Sequence, residues 1–431
     1  MDGSITVSEI VDKPKQKDLD RCVHCGLCLN ACPTYRELGI EMDSPRGRIY
    51  QMALVAAGAA ITDSYREHID LCLACRGCES ACPSGVQYGR LVEAARAEIE
   101  TNTKRPWHVR MVRDFVFRKL LPSPALLTAA GAGLWVYQAS GLQKLVRLTG
   151  IAKALGLGDR EALAPAAEIP FFFREIGKTF PAEGKQRYRV AFLAGCIANV
   201  SFARLNEATV RVLQKNGCEV VVPPNQGCCG ALHQHAGIRD EARKLAKKNI
   251  EAVFAAGEFD AIITNAAGCG STLKEYDELL EHDEQAHRFH ALMKDVTEFL
   301  ASIELAPGMG RVEATATYQD SCHLAHGQKV RKAPRQLLAA VPGLKFREMP
   351  LADICCGSAG IYNVLHTDLS MNILEKKMGN VNLAKAEIIA TANPGCMIQL
   401  QAGVRKWGKG TERVMHVVEV LDEAYSNGGK A

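Results

Sequence analysis

Two copies of one cysteine run, 50 residues apart, constrain this chain more than any other feature of its sequence. Both copies have the spacing C-x2-C-x2-C-x3-C-P, and the offset is 50 residues at all four cysteines. The short spacings bring three thiols around one point, and the proline stops the chain from wrapping further, so the fourth thiol points elsewhere. The first copy contains Cys22, Cys25, Cys28 and Cys32, and the second contains Cys72, Cys75, Cys78 and Cys82.

This double run predicts a pair of [4Fe–4S] clusters. It has the spacing of bacterial two-cluster ferredoxins, in which the fourth cysteine of each run ligates the other cluster. Two zinc sites are the alternative, but zinc prefers four thiolates from two separated C-x2-C knuckles, which this spacing fits poorly. We therefore assign one cluster to Cys22, Cys25, Cys28 and Cys82, and the other to Cys72, Cys75, Cys78 and Cys32.

A short motif, Ser44-Pro-Arg-Gly-Arg48, lies between the two runs. One interpretation is a turn that opens a helix continuing over residues 49–60. The other places Arg46 or Arg48 near a cluster, whose reduction potential the positive charge would raise.

Eight of the other nine cysteines form a second repeat in the C-terminal half. Each copy reads Cys, then Cys-Cys-Gly, then Cys, and the offset is 126 residues at the first cysteine and 127 at the others. Such a repeat predicts two tandem homologous domains. Cys218 has no counterpart, and we expect it to pack as a small apolar residue. The first set is Cys196, Cys228, Cys229 and Cys269, and the second is Cys322, Cys355, Cys356 and Cys396.

Short apolar runs precede most of these cysteines and predict strands, with helical segments between them. The alternation predicts a parallel sheet in each copy, so cysteines that follow strand ends converge at the carboxyl edge of that sheet. The predicted strands cover residues 188–193, 219–222, 260–264, 315–318 and 388–391, and the predicted helices include 239–255 and 334–340.

Each set of four converging thiols is a candidate metal site. Soft thiolate ligands suit iron–sulfur clusters or zinc, and the alternative is a set of cysteines retained after one copy lost its cluster. Four histidines near these cysteines could act as ligands or as a proton relay, but we favour ordinary polar roles at helix starts. They are His233, His235, His323 and His326.

The segment 104–185 lacks cysteine and contains six prolines, which indicates a helical connector rather than a further domain. Its start, residues 104–121, is basic and amphipathic. Such a helix can lie on an anionic membrane surface, but we favour packing against the first domain or docking of a partner. Phe171, Phe172 and Phe173 form an apolar cluster that we expect to be buried at a domain or subunit junction.

Length and charge limit the remaining possibilities. At 431 residues the chain is too long for one core, and the net charge of +4 gives no general reason to expect a nucleic-acid partner. The polar start shows no signal peptide, and the longest apolar stretch, residues 125–137, is too short to span a bilayer. We therefore expect a reducing cytoplasmic location, where clustered cysteines bind metal rather than form disulfides.

The predicted architecture is α+β overall. An α-helical, ferredoxin-like domain with two [4Fe–4S] clusters comes first, then the helical connector, then two α/β domains with parallel sheets. The boundaries that we predict are 1–103, 104–185, 186–305 and 306–431.

The combined arrangement resembles the family of glycolate oxidase iron–sulfur subunits. The Cys…Cys-Cys-Gly…Cys unit is similar to the cysteine-rich (CCG) domain of heterodisulfide reductases, and the likeness runs from residue 22 to about residue 420. It includes the stretches 44–50, 82–86, 267–276 and 354–362. The heterodisulfide reductase pattern ends in C-x2-C, whereas Cys269 precedes Gly-Ser-Thr and Cys396 precedes Met-Ile-Gln. This departure argues against a non-cubane cluster and against disulfide reduction.

The resemblance implies an electron-transfer subunit of a glycolate dehydrogenase complex, which oxidises glycolate to glyoxylate. FAD-binding partner subunits would take the hydride, and this chain would not itself bind glycolate. The chain has no GxGxxG motif that would indicate a flavin or nicotinamide site of its own. The resemblance also implies a quinone or other membrane-associated acceptor, and a peripheral position on the inner face of the cell membrane. The alternatives are a related lactate or glycerol-3-phosphate dehydrogenase subunit and a CCG-type disulfide reductase.

Overall fold

The structure, a computed structural model, describes residues 12–281 and 283–429, without the side chain of residue 153. Its first module is helical, with the cysteine loops between short helices. These are α1 (Gln16–Leu19), α2 (Pro33–Leu38), α3 (Pro45–Ala56), α4 (Asp63–Asp70), α5 (Gly77–Ser80) and α6 (Tyr88–Asn102), with a 3₁₀ turn at Glu41–Asp43.

The motif Ser44-Pro-Arg-Gly-Arg48 opens helix α3, as predicted, but the helix ends before residue 60. The Ser44 hydroxyl accepts a hydrogen bond from the Gly47 N–H at 3.0 Å, and Pro45 occupies the first helical position. Both features favour a helix start, because they satisfy or remove amide groups that have no partner within the helix. The helix therefore begins within the motif, and it covers Pro45–Ala56.

The connector is helical, as predicted. It contains α7 (Trp107–Phe115), a π-helical turn (Val116–Leu120), α8 (Pro124–Ala139), α9 (Leu142–Thr149), α10 (Ile151–Ala154), α11 (Gly158–Ala162) and a 3₁₀ turn (Phe172–Glu175). Of the three phenylalanines expected to be buried, Phe172 is buried in the core of the following domain, whereas Phe171 and Phe173 are only half-buried. Among the described helices, none alone is long and apolar enough to cross a bilayer, although the bent pair Trp107–Leu120 and Pro124–Ala139, at 109°, meets that test jointly.

The aromatic side of α7 does not pack against the first module, and the contact between them is the ion pair of Arg113 with Glu100 of α6 at 3.0 Å. No residue of α7 is buried, and the side chain of Trp107 is 71% exposed. The inner side of this segment is occupied by Arg113, which is partly buried, and by Phe117, which is fully buried. The aromatic and aliphatic residues of α7 therefore face outward.

Two sheets follow, one for each copy of the CCG repeat. The first has the order β1-β3-β2-β4-β5, and the second has the order β7-β6-β8-β9. All neighbouring strands are parallel except the β1–β3 pair, so the parallel sheets predicted from the sequence are confirmed. The strands are β1 (Thr179–Phe180), β2 (Tyr188–Phe192), β3 (Cys218–Val221), β4 (Ala261–Thr264), β5 (Met293–Asp295), β6 (Thr315–Tyr318), β7 (Lys345–Phe346), β8 (Ile388–Thr391) and β9 (Arg413–His416).

Helices cover the faces of both sheets. The first copy contains α12 (Ala198–Ser201), α13 (Ala203–Lys215), α14 (Ala231–His235), α15 (Arg239–Ala255), α16 (Ala267–Lys274), α17 (Tyr276–Leu279), α18 (Glu284–Leu292) and α19 (Val296–Ala301). The second contains a π-helical turn (His323–Gly327), α20 (Lys332–Ala339), α21 (Tyr362–Leu365), α22 (Thr367–Ala384), α23 (Pro394–Trp407) and α24 (Val417–Gly428). Helix α15 has the predicted bounds, and α20 begins two residues before the predicted helix.

The two copies share one continuous core. Val190 and Phe192 of β2 belong to the same cluster of buried residues as Ala316 and Tyr318 of β6. Because the sheets are joined through buried apolar side chains, the carboxyl edges of their strands are held in a fixed relation. This arrangement decides how the two cysteine sets face each other.

Candidate functional site

The two N-terminal cysteine loops share left-handed residues at two corresponding positions. His24 and Ala74, which correspond in the repeat, both have positive φ angles, of 53° and 50°. Gly26 and Arg76 also correspond, with φ angles of 83° and 61°. Non-glycine residues rarely adopt such angles. Where left-handed and right-handed backbone conformations alternate, successive N–H groups point into a shared concave nest, as in many iron–sulfur sites. The N–H of Ala74 donates to the Cys72 Sγ at 3.3 Å.

The structure brings Cys32 together with the three cysteines of the second run. Cys32, Cys72 and Cys78 are all buried. Burial raises the pKa of the Cys78 thiol well above its usual value, and the nearby thiols of Cys75, Cys32 and Cys72 raise it further. Such a crossing of the fourth cysteine is what the interleaved assignment requires.

The other group of thiols lies nearer the surface. Cys25 is exposed, while Cys22, Cys28 and Cys82 are partly buried and pack against the core of the first module. Burial raises the pKa of the Cys28 thiol to about 11, with added contributions from Cys22 and Cys32. The first run therefore opens to solvent, and the second is enclosed.

The two arginines of the motif between the runs lie at different loops. Arg46 donates to the backbone carbonyl of His24 at 2.9 Å, beside the first loop. Arg48 is fully buried and forms an ion pair with Asp43 at 3.2 Å. Although burial lowers the pKa of Arg48, the acidic groups of Tyr88, Cys72 and Cys32 are close enough to raise it overall. The motif starts α3 and also places one cation beside each loop. An effect of either charge on a reduction potential stays a prediction.

These residues fit [4Fe–4S] clusters by their chemistry. Each group offers soft sulfur ligands, and the loops turn N–H groups inward, which suits an anionic cluster. Within residues 12–281 and 283–429, no three His, Cys, Asp or Glu side chains are grouped closely enough to hold a single metal ion.

All eight cysteines of the CCG repeat line one cavity of about 230 Å³. It lies at the carboxyl edges of both sheets, where the strand ends place the cysteines as predicted. The eight are Cys196, Cys228, Cys229, Cys269, Cys322, Cys355, Cys356 and Cys396, and apolar side chains complete much of the wall, including Leu73, Phe202, Leu232, Ile361 and Ile398.

Within each copy the thiols form a row. The Sγ atoms of Cys196 and Cys228 are 3.5 Å apart, and thiol contacts continue through Cys229 to Cys269. The second copy repeats the order from Cys322 to Cys396. A hydrogen bond with Cys228 and burial raise the pKa of the Cys196 thiol well above its usual value.

The glycine of the Cys-Cys-Gly motif is required by the backbone. Gly357 has a φ of 91°, and a Cβ there would lie 2.6 Å from the carbonyl oxygen of Ser370. Gly230, its counterpart, has a φ of 82° and packs closely on Ala242. A side chain at either position would push the adjacent helix away from the cysteine pair.

The cavity adjoins the enclosed end of the first module. Leu73 and Cys75 pack with Cys322 and Cys355 in one apolar cluster. Burial raises the pKa of the Cys75 thiol well above its usual value, and Cys355 is the thiol that adds most to this rise. The second cysteine run and the second CCG set are therefore direct neighbours, a relation that no sequence pattern indicated.

The four histidines join modules, which corrects the expectation of ordinary helix-start roles. His323 donates to the Ala74 carbonyl at 3.0 Å, and His326 lies 2.8 Å from the Ser80 hydroxyl. His235 pairs with Glu93 of α6 at 2.9 Å. The imidazole rings of His235 and His323 are in edge-on contact, with their centroids 5.1 Å apart. His233 donates to the carbonyl of Phe117 in the connector at 2.6 Å. Burial lowers the pKa of His323 to about 3, so this imidazole is neutral.

Sequence reasoning missed two further buried groups at these interfaces. Arg76 lies between Glu79, at 3.0 Å, and Glu275 of the first CCG copy. Lys377 of α22 donates to the Leu351 carbonyl at 2.7 Å, and burial lowers its pKa to about 8. Arg76 lies within the second cysteine run and Lys377 lies in no motif, but in both cases a buried charge can be recognised only from its surroundings. Cys218 is fully buried in the core, as expected.

Family profiles match four segments of the chain. The 4Fe-4S dicluster domain matches residues 18–86, and the linker region of the glycolate oxidase iron–sulfur subunit matches residues 108–164. The cysteine-rich domain matches twice, over residues 190–274 and 316–401. These matches support iron–sulfur clusters in the first module and the duplication of the CCG unit.

Two of the curated relatives match over nearly the whole chain, and a third matches about half of it. A probable glycolate oxidase iron–sulfur subunit of Bacillus subtilis is 42% identical, over 97% of this chain and 96% of its own length. The glycolate oxidase iron–sulfur subunit of Escherichia coli is 32% identical, over 94% of each chain. Lactate utilization protein A of Geobacillus kaustophilus is 31% identical over 54% of this chain and 98% of its own.

Proposed function

This chain belongs to the family of glycolate oxidase iron–sulfur subunits, and we propose that it is the electron-transfer subunit of a complex that oxidises glycolate to glyoxylate. The two full-length relatives support this substrate. The relative named for lactate utilisation matches only about half of the chain, which makes a lactate complex the weaker assignment. A glycerol-3-phosphate complex is supported by the sequence resemblance alone.

The cluster ligands follow the interleaved pattern. One cluster would be held by Cys22, Cys25, Cys28 and Cys82, and the other by Cys72, Cys75, Cys78 and Cys32. The observation that carries this assignment is the burial of Cys32 among the thiols of the second run, which its own run alone would not require. When bound, such clusters accept and release electrons at potentials that ligands, hydrogen bonds and exposure set.

The chain's own residues prepare these sites in different ways. The left-handed residues of the two loops turn N–H groups inward, and Arg46 and Arg48 place positive charge beside them. The exposed Cys25 makes the first loop accessible to a partner, while Cys75 lies against the CCG cavity. The thiol sites therefore extend from the surface to the interior of the protein.

The partners that we propose follow from the family to which the chain belongs. FAD-binding subunits of the complex would oxidise glycolate, and this sequence has no GxGxxG motif that would indicate a flavin site of its own. The acceptor that we propose is a quinone or another membrane-associated molecule. The protein would be cytoplasmic and peripheral on the inner face of the cell membrane.

The CCG cysteines would hold additional centres. Each row of four thiols suits an iron–sulfur cluster, because thiolates are soft ligands, whereas no three of the described thiols are close enough to hold a single zinc ion. A second candidate function is favoured by the shared cavity: two thiol sets that face one space could reduce a disulfide. The absence of the C-x2-C endings weighs against it. Turnover of a disulfide by the isolated chain with a chemical electron donor would support this second function, and its absence from fully loaded protein would exclude it.

Iron counting on anaerobically purified protein tests the main proposal. Two clusters give about eight irons per chain, and a clear excess would place further iron in the CCG sets. Cys25→Ser and Cys75→Ser should lose iron and abolish glycolate-dependent dye reduction by the whole complex. Cys218→Ser, which alters a core cysteine outside both repeats, is the matched control and should keep its iron. Full iron and full dye reduction in Cys75→Ser would contradict the assignment.

A further inference from the structure

The connector exposes a large set of apolar side chains. Leu148 is 85% exposed and Trp107 is 71% exposed, although residues of these types are usually buried. Such a concentration on one segment marks an interaction surface. The exposed apolar residues between 107 and 157 are Trp107, Val109, Met111, Val112, Phe115, Leu126, Trp135, Val136, Leu142, Leu145, Leu148, Ile151, Leu155 and Leu157.

In two helices these residues form stripes. Trp107, Met111 and Phe115 recur every four residues along α7, opposite the side that carries Arg113 and Phe117. Leu142, Leu145 and Leu148 recur every three residues along α9. Neither α7 nor α9 has a buried residue, so the stripes have no partner within the described chain.

The same segment is strongly basic. Residues 104–157 contain nine Lys or Arg residues and one acidic residue, Asp114. Asp114 is paired with Arg118 at 3.4 Å, and Arg113 and Arg147 are also paired. Four exposed cations form no ion pair in the part of the chain that the structure describes: Lys104, Arg110, Lys119 and Lys144.

The inner side of the connector is firmly anchored to the CCG domains. Phe117, Leu121 and Leu127 pack in one cluster with Leu232 and Ile361, which line the cysteine cavity. Arg118 adds ion pairs to Asp240 and Glu241 of α15. The connector thus covers the cavity wall with one side and exposes the apolar stripes on the other.

We propose that the α7 stripe, the α9 stripe and the four unpaired cations bind the surface of an anionic membrane. Apolar residues, a tryptophan and unpaired cations on short helices are the composition of helices that lie in the membrane interface. Because Phe117, Leu121 and Leu127 pack on residues that line the cavity, this binding places the cavity wall one helix layer, about 10 Å, from the lipid. The inference rests on the proposed peripheral location and identifies the surface that mediates it.

The charge of the segment favours lipid over a protein as the occupant. A surface built to meet a second protein needs its cations matched by acidic groups, whereas anionic headgroups attract each basic residue separately. A second copy of this chain would bring the same basic surface against itself and would be repelled.

Vesicle flotation of the full-length, cluster-loaded protein tests this proposal. The probe is phosphatidylcholine vesicles containing about one third phosphatidylglycerol, compared with pure phosphatidylcholine. The protein should float with the anionic vesicles, and added salt should release it. The variant Trp107→Gln, Met111→Gln should weaken binding at least about tenfold, because it removes two inserted apolar groups.

Two matched variants control for general surface changes. Leu383→Gln alters a leucine that is 68% exposed on α22 and should bind like the parent protein. Lys119→Gln and Lys144→Gln should each weaken binding about fivefold, whereas Lys345→Gln, on β7, should have no effect. The iron content of all variants should stay equal, so loss of vesicle binding is distinguishable from failure of the electron-transfer function.

Four results would overturn the proposal. The first is equal binding to anionic and neutral vesicles, and the second is full binding by Trp107→Gln, Met111→Gln. The third is loss of vesicle binding when the partner subunits join the complex, which would assign the stripes to those subunits. A dimer that the stripe variant abolishes would likewise assign them to a second copy of the chain.

Discussion

Replacing Arg48 by methionine should destabilise the first module far more than the same change at Arg46. Arg48 is fully buried and donates to the His68 carbonyl at 2.6 Å, to the Thr34 hydroxyl at 3.1 Å and to Asp43 at 3.2 Å. Methionine fills a similar volume but leaves the Asp43 carboxylate with His68 as its remaining side-chain partner. The perturbation is therefore the uncompensated burial of a negative charge.

The expected magnitude follows from the burial of the pair. Removing one partner of a buried ion pair costs about 3–5 kcal/mol, a large part of the 5–15 kcal/mol by which a typical domain is stable. Arg46 and Glu41 form a surface pair, with side chains 29% and 48% exposed, and such pairs contribute about 0–1 kcal/mol. A loss of three kcal/mol changes the unfolding equilibrium roughly 100-fold. If half of this free energy appears in the unfolding rate, the protein unfolds about tenfold faster.

The assay is the bleaching of cluster absorbance in urea under anaerobic conditions. Loss of clusters makes unfolding irreversible, so rates rather than equilibrium midpoints are compared. Arg48→Met should bleach about tenfold faster than the parent protein, and Arg46→Met should bleach at nearly the parental rate. Adding Asp43→Asn to Arg48→Met should slow bleaching again, because the buried charge is removed. Equal rates for Arg48→Met and Arg46→Met would refute the reasoning.

Two further changes test other parts of the molecule. Burial raises the pKa of Glu419 from 4.5 to about 7, so between these values the folded protein keeps a proton that the unfolded chain releases, and stability falls as pH rises. Glu419→Gln should remove this pH dependence, so that thermal unfolding shows a gain of about 2 kcal/mol at pH 8 and none at pH 5. Identical profiles of stability against pH for the variant and the parent protein would contradict this expectation. Gly237 has a φ of 79°, and a Cβ there would lie 2.5 Å from the Arg96 carbonyl oxygen, so Gly237→Ala should loosen the contact between α6 and the first CCG copy. The control is Gly184→Ala, where φ is 73° and a Cβ would meet open space. This variant should lose only about 1–2 kcal/mol of stability, which is the cost of an alanine in the left-handed region. Equal losses of stability in both variants would show that the contact between Gly237 and Arg96 is unimportant.

The cysteine spacing predicted the two repeats, and the alternation of strands and helices predicted the parallel sheets and the position of the CCG cysteines after strand ends. These features are encoded within short stretches of chain, where loop length and strand direction leave few alternatives. Strands such as β1 and β7, with two residues each, were missed because so short a run shows no periodicity. The left-handed residues His24, Ala74 and Arg76 were missed too, although the 50-residue repeat could have indicated that the loops are equivalent.

Tertiary structure alone decided how the sites relate to one another. Cys75 and Cys355 are 280 positions apart, and they are neighbours only because the first module packs on the second CCG copy. The same packing gives eight cysteines one cavity, buries Arg48 beside Asp43 and turns the stripe of α7 outward. No local pattern encodes these contacts, since they depend on which buried surfaces fit together when the modules close on a common core.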